Sequence, residues 1–291
     1  MTVSPTLPEP APADHPHDAA EYVLGTDAAE TVRLGLQHRL WSAHTHALWE
    51  RAGIQPGWVV LDLGAGPGHA TLDLAQIVGP TGRVVAVDES ASFLKALHDL
   101  STARKYQNID RVLGDVHALE ELLPGDAAAY DAAYARWVFC FLEEPQRLVE
   151  GLAGVLKPGG RVIVQDYFNY ERSLTLAPRC EAFTRVINAV SASWRARGGD
   201  GDVMGKLPGM FAKAGFRIDH LDVVQRIARP GSTLWHWPNS FWQTFLPRLV
   251  ENGFLTPEDR AAFDVAWADA SKDPACFIQL PPVYELIAVR Q

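Results

Sequence analysis

The sequence predicts an α/β protein built on a parallel β-sheet with helices on both faces. The first observation is an apolar run at 59–63 that leads directly into a glycine-rich turn at 64–68 and then into a helical pattern. The second is that strand and helix patterns keep alternating as far as Tyr167. The third is an acidic residue, Asp88, at the end of the second apolar run. Parallel strands need crossover connections, which are usually helices, so these repeated units predict a doubly wound sheet.

Hydrophobic periodicity gives the individual elements of this sheet. Strands appear as short apolar runs, whereas helices place apolar residues three or four positions apart, as Phe93, Leu97 and Leu100 do. The predicted strands of the first part cover 58–63, 83–88, 109–113, 130–135 and 161–167. The predicted helices between them cover 69–78, about 93–100 and 145–156. The pattern resumes later with a helix at 205–214 and strands at 216–224 and 283–289.

The alternation is interrupted by segments that read as helical only. Five prolines among small and acidic residues open the chain, a composition that cannot bury enough surface to order itself. The expected segments are a disordered leader at 1–18, a helical N-terminal lid at 19–54, the α/β core at 55–167, a helical insertion at 168–204, a continuation of the core at 205–228, an aromatic-rich helical insertion at 229–281 and a last core strand at 282–291.

Composition restricts the classes of partner. The net charge of −9 and the lack of a basic stripe argue against nucleic acid and favour a small-molecule partner. No apolar stretch is long enough for a membrane span and the N-terminus does not resemble a signal peptide, so we expect no membrane partner and a cytoplasmic location. The three cysteines, Cys140, Cys180 and Cys276, lack metal-ligand spacing and are expected to be core residues, with no metal site.

The glycine turn indicates which nucleotide the fold binds. Gly64, Gly66 and Gly68 let a ligand approach the backbone at a helix N-terminus, where unpaired N–H groups face it. The dinucleotide fingerprint would need a further glycine at position 69, where this chain has His69. The spacing therefore favours S-adenosylmethionine over a nicotinamide dinucleotide, although a glycine turn alone is a weak signal.

Two acids at strand ends strengthen this interpretation. Asp88 lies where ribose hydroxyls would sit over the carboxyl edge of the sheet, and it is equally suited to beginning the helix at Ser90. Asp115, between Gly114 and Val116, closes the third strand beside the expected position of the adenine, or else lies in an exposed turn.

These motifs together resemble those of the class I S-adenosylmethionine-dependent methyltransferases of the small-molecule type. The resemblance covers about 55–167 and rests on 61–68, Asp88, 114–116 and the turn at 156–160. It implies a Rossmann-like seven-stranded sheet of order 3-2-1-4-5-7-6 whose last strand is antiparallel, and it implies that Tyr22 and Gln37 of the lid approach the methionine end of the cofactor. The expected cofactor contacts are Tyr22, Gln37, Asp62, Gly64, Ala65, Gly66, Gly68, His69, Asp88, Glu89, Gly114, Asp115, Val116, Arg136 and Trp137.

Methyl transfer from a sulfonium requires mainly alignment and exclusion of water, and aromatic faces attract the cation. The two insertions are rich in aromatic residues, which either line a substrate pocket or simply pack on the sheet. His236 is the candidate general base because its ordinary pKa suits neutral pH, and a surface or capping role is the alternative. The candidate substrate contacts are Tyr167, Phe168, Tyr170, Trp235, Trp237, Phe241 and Trp242.

The predicted function is methyl transfer from S-adenosylmethionine to an oxygen, nitrogen or carbon atom of a small molecule. Two alternatives stay open, namely a nicotinamide-dependent oxidoreductase and a protein that binds S-adenosylmethionine without catalysis. The sequence 135–138 after the fourth strand lacks an amine-selecting Asn-Pro-Pro-Tyr motif, which weakens a nucleic-acid or protein-amide substrate. A homodimer stays open because aromatic insertions also suit a subunit interface.

Overall fold

The structure is a computed structural model that describes residues 28–123 and 127–291. The leader expected at 1–18 and Tyr22 both lie outside the described residues. A seven-stranded sheet forms the centre, with strand order β3-β2-β1-β4-β5-β10-β7. Its strands are β1 (Val59–Leu63), β2 (Arg83–Asp88), β3 (Ile109–Leu113), β4 (Tyr130–Arg136), β5 (Leu156–Tyr167), β7 (Phe216–Val224) and β10 (Val283–Arg290).

The strand order confirms the one implied by the resemblance. The pairs β1–β2, β1–β4, β2–β3 and β4–β5 are all parallel, whereas β10 runs antiparallel to β5 and β7, between which it inserts. Parallel strands bring their carboxyl ends to one edge, so the turns that follow β1, β2, β3 and β4 lie side by side there. That edge carries the candidate site.

Helices flank the sheet and cover this edge. Helix α1 begins before the first strand and packs on α2, β5 and α9, so the N-terminal segment touches both the core and the second insertion. The helices are α1 (Ala28–Arg51), α2 (His69–Val78), α3 (Ala91–Ala103), α4 (Leu119–Leu122), α5 (Pro145–Val155), α6 (Tyr170–Ser173), α7 (Glu181–Arg195), α8 (Leu207–Lys213), α9 (His236–Glu251) and α10 (Pro257–Ala270).

The two helical insertions pack against each other through aromatic rings. Phe183 of α7 stacks near Phe263 and Trp267 of α10, with ring centroids 6.0 and 6.3 Å apart, and meets Trp242 of α9 edge-on. All four rings are buried. Large aromatic side chains therefore form a second apolar layer above the carboxyl edge of the sheet. In the part of the chain that the structure describes, no helix combines the length and apolarity needed to cross a membrane.

Two local features differ from the sequence prediction. The fifth strand begins at Leu156 and not at Arg161, because Leu156 pairs with Tyr130 ahead of an irregularity in the ladder. The two insertions expected to be helical also contain short strands, because β6 (Thr175–Ala177) of the first pairs with β9 (Phe277–Gln279) of the second, and β9 pairs in turn with β8 (Ile227–Ala228) in a small three-stranded sheet. Strands of two or three residues are too short for alternation to reveal them.

Candidate active site

The three glycines of the turn after β1 all have left-handed backbone angles, with φ of 57°, 56° and 84°. A Cβ on Gly68 would lie 2.2 Å from Leu97 Cδ1, and one on Gly64 would lie 2.6 Å from Val138 Cγ2. A Cβ on Gly66 would meet only Leu34 Cδ1, at 3.9 Å. Gly64 and Gly68 are therefore required for close packing, whereas Gly66 leaves an open place where a ligand can approach the backbone.

Asp88 connects this turn to the end of β2. Its Oδ2 accepts a hydrogen bond from Gly66 N–H at 2.7 Å, and its Oδ1 accepts one from Ser90 N–H at 2.8 Å. The cap of α3 is Ser90, whose hydroxyl accepts from Phe93 N–H. Burial raises the pKa of the Asp88 carboxyl, partly offset by the two N–H donors. Asp88 thus faces the cleft while Ser90 begins the helix.

Two buried titratable side chains lie beneath and beside the turn. Asp62 accepts a hydrogen bond from the Thr71 hydroxyl at 2.6 Å, and burial raises its pKa to about 7. His69 Nε2 is buried without a hydrogen-bond partner among the described residues. Burial, followed by the nearby His38 and Arg136, lowers the pKa of His69 to about 4, so the imidazole is neutral at neutral pH.

Arg136 provides the positive charge of the cleft. Its guanidinium donates to Thr45 Oγ1 at 3.1 Å and to His38 Nδ1 at 3.2 Å, and it lies 5.2 Å from the ring centroid of Trp137. Because arginine can only donate, His38 Nδ1 is an acceptor and His38 Nε2 carries the hydrogen bonded to Asp73 Oδ2 at 3.0 Å. Thr45 and His38, both on helix α1, therefore hold the Arg136 side chain in place.

These residues enclose a cleft with an empty volume of about 1210 Å³. It fits the predicted cofactor because Gly66 leaves the backbone open and because carboxylates and the Arg136 guanidinium both line it. Gly68 does not line the cleft, since its position is occupied by the contact with Leu97. The predicted contacts that do line it are Gln37, Asp62, Gly64, Ala65, Gly66, His69, Asp88, Glu89, Gly114, Asp115, Val116, Arg136 and Trp137.

A second cavity, with an empty volume of about 560 Å³, lies between α1, the end of β5 and the two insertions. Its walls are mainly aromatic, and Arg33 is the only charged residue among those that the structure describes there. Of the candidate substrate contacts, Tyr167, Tyr170, Trp237, Phe241 and Trp242 line this aromatic cavity.

Besides Gly68, three described residues that the sequence predicted for the site line neither cavity. Phe168 is 38% exposed and its ring meets Tyr284 edge-on. Trp235 is buried in the insertion and stacks on Trp267 at 4.4 Å. His236 begins α9 with an exposed side chain, so its position matches the surface alternative better than a base.

Sequence reasoning missed several lining residues. Trp194 belongs to the first insertion, and the aromatic criterion applied to the second insertion would have found it. Arg33 lies one helical turn before Gln37 on α1, a spacing that places both on one face. Phe141 lies in a short turn after β4, where nothing in the sequence distinguishes a cavity residue from a core residue.

Gln37, Trp137 and Phe141 line both cavities and so define a junction between them. Gln37 Oε1 accepts hydrogen bonds from Arg33 Nη1 at 2.9 Å and from Trp237 Nε1 at 2.8 Å. Arg33 also forms a buried ion pair with Glu30, with Nη2 2.6 Å from Oε1. Residues of α1 and of the second insertion therefore both fix the Gln37 side chain at the junction.

Asp166, at the end of β5, stabilises the turn that carries Trp137. Asp166 accepts hydrogen bonds from Cys140 N–H at 3.2 Å and from Tyr167 N–H at 2.8 Å, and burial raises its pKa to about 6. Trp137 has a left-handed backbone, with φ of 53°, and its N–H donates to Gln165 O at 2.8 Å. A non-glycine residue in this conformation is strained and must be held by its surroundings.

Comparison with known proteins agrees with this geometry. A family described as "Methyltransferase domain" matches residues 61–164. The ubiquinone/menaquinone biosynthesis C-methyltransferase UbiE of Ectopseudomonas mendocina is 35% identical over 150 residues, which cover 51% of this chain and 54% of that enzyme. The matched stretch thus spans just over half the length of this relative.

Solved structures of low sequence identity share the fold. The [4+2]-cyclase SpnF has a TM-score of 0.55 at 19% identity, with 85% of this chain and 80% of that chain covered. The geranyl diphosphate C-methyltransferase of Streptomyces coelicolor A3(2) has a TM-score of 0.54 at 17% identity, with 87% and 77% covered.

The strand order is that of the Rossmann-like methyltransferase fold. Residues 61–164 match the methyltransferase domain, and the UbiE relative is similar over about half of this chain, which agrees with S-adenosylmethionine as the predicted cofactor.

Proposed function

We propose that the protein transfers the methyl group of S-adenosylmethionine to a small, partly aromatic molecule bound in the aromatic cavity. The observation that carries this proposal is the junction, where a polar, acid-lined cleft and an aromatic cavity share Gln37, Trp137 and Phe141. A reaction between two bound molecules needs two adjoining sites that hold the reacting atoms in contact.

When bound, S-adenosylmethionine supplies a methyl group on a positively charged sulfur. In the cleft, Asp88 would accept hydrogen bonds from the ribose hydroxyls, Asp115 and Val116 would lie beside the adenine, and Arg136 would pair with the carboxylate of the methionine end. These roles match the chemistry of each side chain, because carboxylates accept from hydroxyls and guanidinium groups bind carboxylates.

The chain's own contribution beyond binding is alignment and exclusion of water. Trp137 lies between Trp237 and Tyr167, with ring centroids 5.8 and 6.1 Å away and planes within 28° of parallel. Such faces attract a cation and replace water around it. The strained backbone of Trp137, held through Asp166, keeps this ring at the junction.

The relatives suggest where a search for the acceptor should begin. UbiE and the geranyl diphosphate enzyme are both C-methyltransferases, so carbon acceptors belong in a screen beside oxygen and nitrogen acceptors. We infer a small-molecule acceptor because the cavity is enclosed by side chains and offers no basic groove for nucleic acid in its described lining.

Calorimetric titration tests the cofactor half of the proposal. We expect S-adenosylmethionine to bind the unchanged protein, and to bind weakly or not at all when Gly66→Val fills the open place or Asp88→Ala removes the ribose acceptor. Gly209→Val is a matched control, since a Cβ there meets nothing within 4 Å. Unchanged affinity in both cleft variants would sink the proposal.

Release of S-adenosylhomocysteine in the presence of a metabolite panel tests the transfer half. A panel member that drives release identifies the acceptor. Binding without release across oxygen, nitrogen and carbon acceptors would instead favour a non-catalytic binding protein. Thermal shifts with NAD and NADP larger than the shift with S-adenosylmethionine would favour the oxidoreductase.

A further inference from the structure

The orientation of the Gln37 carboxamide is determined by its neighbours. Its Oε1 accepts from Arg33 and from Trp237, and both of these groups are donors that cannot accept a hydrogen bond. A flipped amide would put its NH₂ against two further donors, so the assignment of oxygen and nitrogen is not ambiguous here. The two N–H donors of Gln37 are the part of the group left to meet a bound molecule.

A second donor lies at the same junction. The indole N–H of Trp137 is buried and has no hydrogen-bond partner in the described part of the chain. An indole nitrogen only donates, and Gln37 Oε1 already accepts twice. Gln37 and Trp137, which both line the two cavities, therefore carry side-chain donors and no free side-chain lone pair.

We propose that Gln37 and Trp137 select an acceptor that presents an ionised oxygen at the junction, such as a carboxylate, an enolate or the anion of an acidic phenol. The biological meaning of this inference rests on the methyl transfer proposed above. Buried donors without a partner are costly, and a ligand oxygen that accepts from them removes that cost.

The chemistry of transfer is consistent with such an acceptor. If the ionised oxygen is itself the reacting atom, its lone pair forms the new C–O bond while the C–S bond breaks, and the acceptor has no proton to release. The described lining of the aromatic cavity contains no carboxylate or imidazole to take one. The Arg33 charge is balanced by Glu30, so the donors at the junction, and not a free net charge, distinguish the ligand.

The test compares two ligands of the same shape, naphthoate and its amide naphthamide, bound to the protein loaded with S-adenosylhomocysteine at neutral pH. We expect naphthoate to bind about tenfold more tightly than naphthamide, since hydrogen bonds to a charged group exceed those to a neutral one by about this factor. Gln37→Glu keeps an oxygen for Arg33 and Trp237 but replaces the free N–H donors with a second oxygen, so it should abolish the preference.

The matched control is Gln146→Glu, the same chemical change at the surface end of α5, where Gln146 bonds to Glu150. This control should keep the preference for naphthoate. A naphthoate to naphthamide ratio near one in the unchanged protein, or no binding of naphthoate, overturns the inference. So does a Gln37→Glu variant that loses affinity for S-adenosylmethionine while keeping the ratio, because Gln37 would then act on the cofactor.

The outcome is separable from that of methyl transfer itself. S-adenosylmethionine affinity and S-adenosylhomocysteine release are measured in parallel on the same protein. Release driven by an amine with a ratio near one would leave the proposed transfer standing and remove this inference alone.

Discussion

The cofactor cleft and the aromatic cavity differ in how far apart their walls lie in the sequence. Most of the cleft comes from consecutive strand ends between Asp62 and Leu142, with α1 closing it above. The aromatic cavity takes residues from α1, from the turn after β4, from the end of β5 and from both insertions. A site made of strand ends is determined by local motifs, whereas one made of distant segments exists only after they pack.

The two regions also differ in how far the backbone takes part in their polar contacts. Around the cleft, backbone N–H groups and carboxylates are paired, as Gly66 is with Asp88. Around the cavity, side-chain rings form the walls and the polar contacts run between side chains, as in Gln37 with Trp237. Substitutions should therefore separate the two regions, with the largest effects where a backbone position is constrained.

Gly68→Val should have the largest effect, through the fold itself. The new Cβ would meet Leu97 at 2.2 Å in a backbone with φ of 84°. Strain and overpacking together should lower the free energy of unfolding by about 3 kcal/mol or more. Urea unfolding measures this, with Gly209→Val as the control. Equal stability of the two variants would show that the contact of the turn with α3 is unimportant.

Asp62→Asn should change how stability depends on pH. Because burial raises the pKa of Asp62 from its ordinary value near 4 to about 7, its contribution is fully present at low pH and is lost as pH rises through 7. The variant removes this loss, so it should gain roughly 2 kcal/mol relative to the unchanged protein between pH 5 and pH 8. Unfolding curves at both pH values measure the gain. A constant difference across that range would contradict a neutral Asp62.

Trp237→Phe should affect the aromatic cavity and spare the cleft. A smaller aromatic ring remains, and Gln37 Oε1 loses one of the two groups that donate to it, a loss worth about 1 kcal/mol. We expect the KM of an identified acceptor to rise several-fold while the affinity for S-adenosylmethionine stays within about twofold. A comparable loss of cofactor affinity would mean that the two regions are not independent.

His236→Gln should have the smallest effect. The side chain is exposed at the start of α9 and lines neither cavity in the described chain. We expect kcat for an identified acceptor to stay within about twofold, as for surface substitutions away from a site. If the dependence of kcat on pH has a limb near neutrality in the unchanged protein and lacks it in this variant, His236 acts as the general base after all.

The sequence anticipated the core closely, as the strands at 83–88 and 109–113 show. Glycine turns, apolar runs and acids at strand ends are local signals, and the parallel sheet follows from their repetition. The start of β5 was wrong because the pairing of Leu156 with Tyr130 is decided by a neighbouring strand. The short strands of the small sheet were missed because they are stabilised by their partners and not by a pattern of their own.

For the site, sequence reasoning named most of the cleft and part of the cavity. Trp235 and Phe168 have the same composition signal as Trp237 and Phe241, yet they face the insertion core and the outer surface. No pattern in one segment tells which side of an aromatic helix will face a cavity, since that depends on the helix packed against it. Phe141, in the turn after β4, was missed because its packing is likewise decided by other segments, whereas Arg33 could have been found from its spacing to Gln37 on α1.

The sequence by itself determined the α/β core and predicted the cofactor and the glycines and acids expected to contact it, because these signals come from residues close together along the chain. Only the tertiary structure decided that Gly68 packs against Leu97, whereas Gly66 leaves an open place beside the backbone. It also decided that the Gln37 carboxamide is oriented by Arg33 and by Trp237, two hundred residues away. A hydrogen bond between distant segments has no local signature, so the chemistry at the junction becomes visible only when the chain is folded.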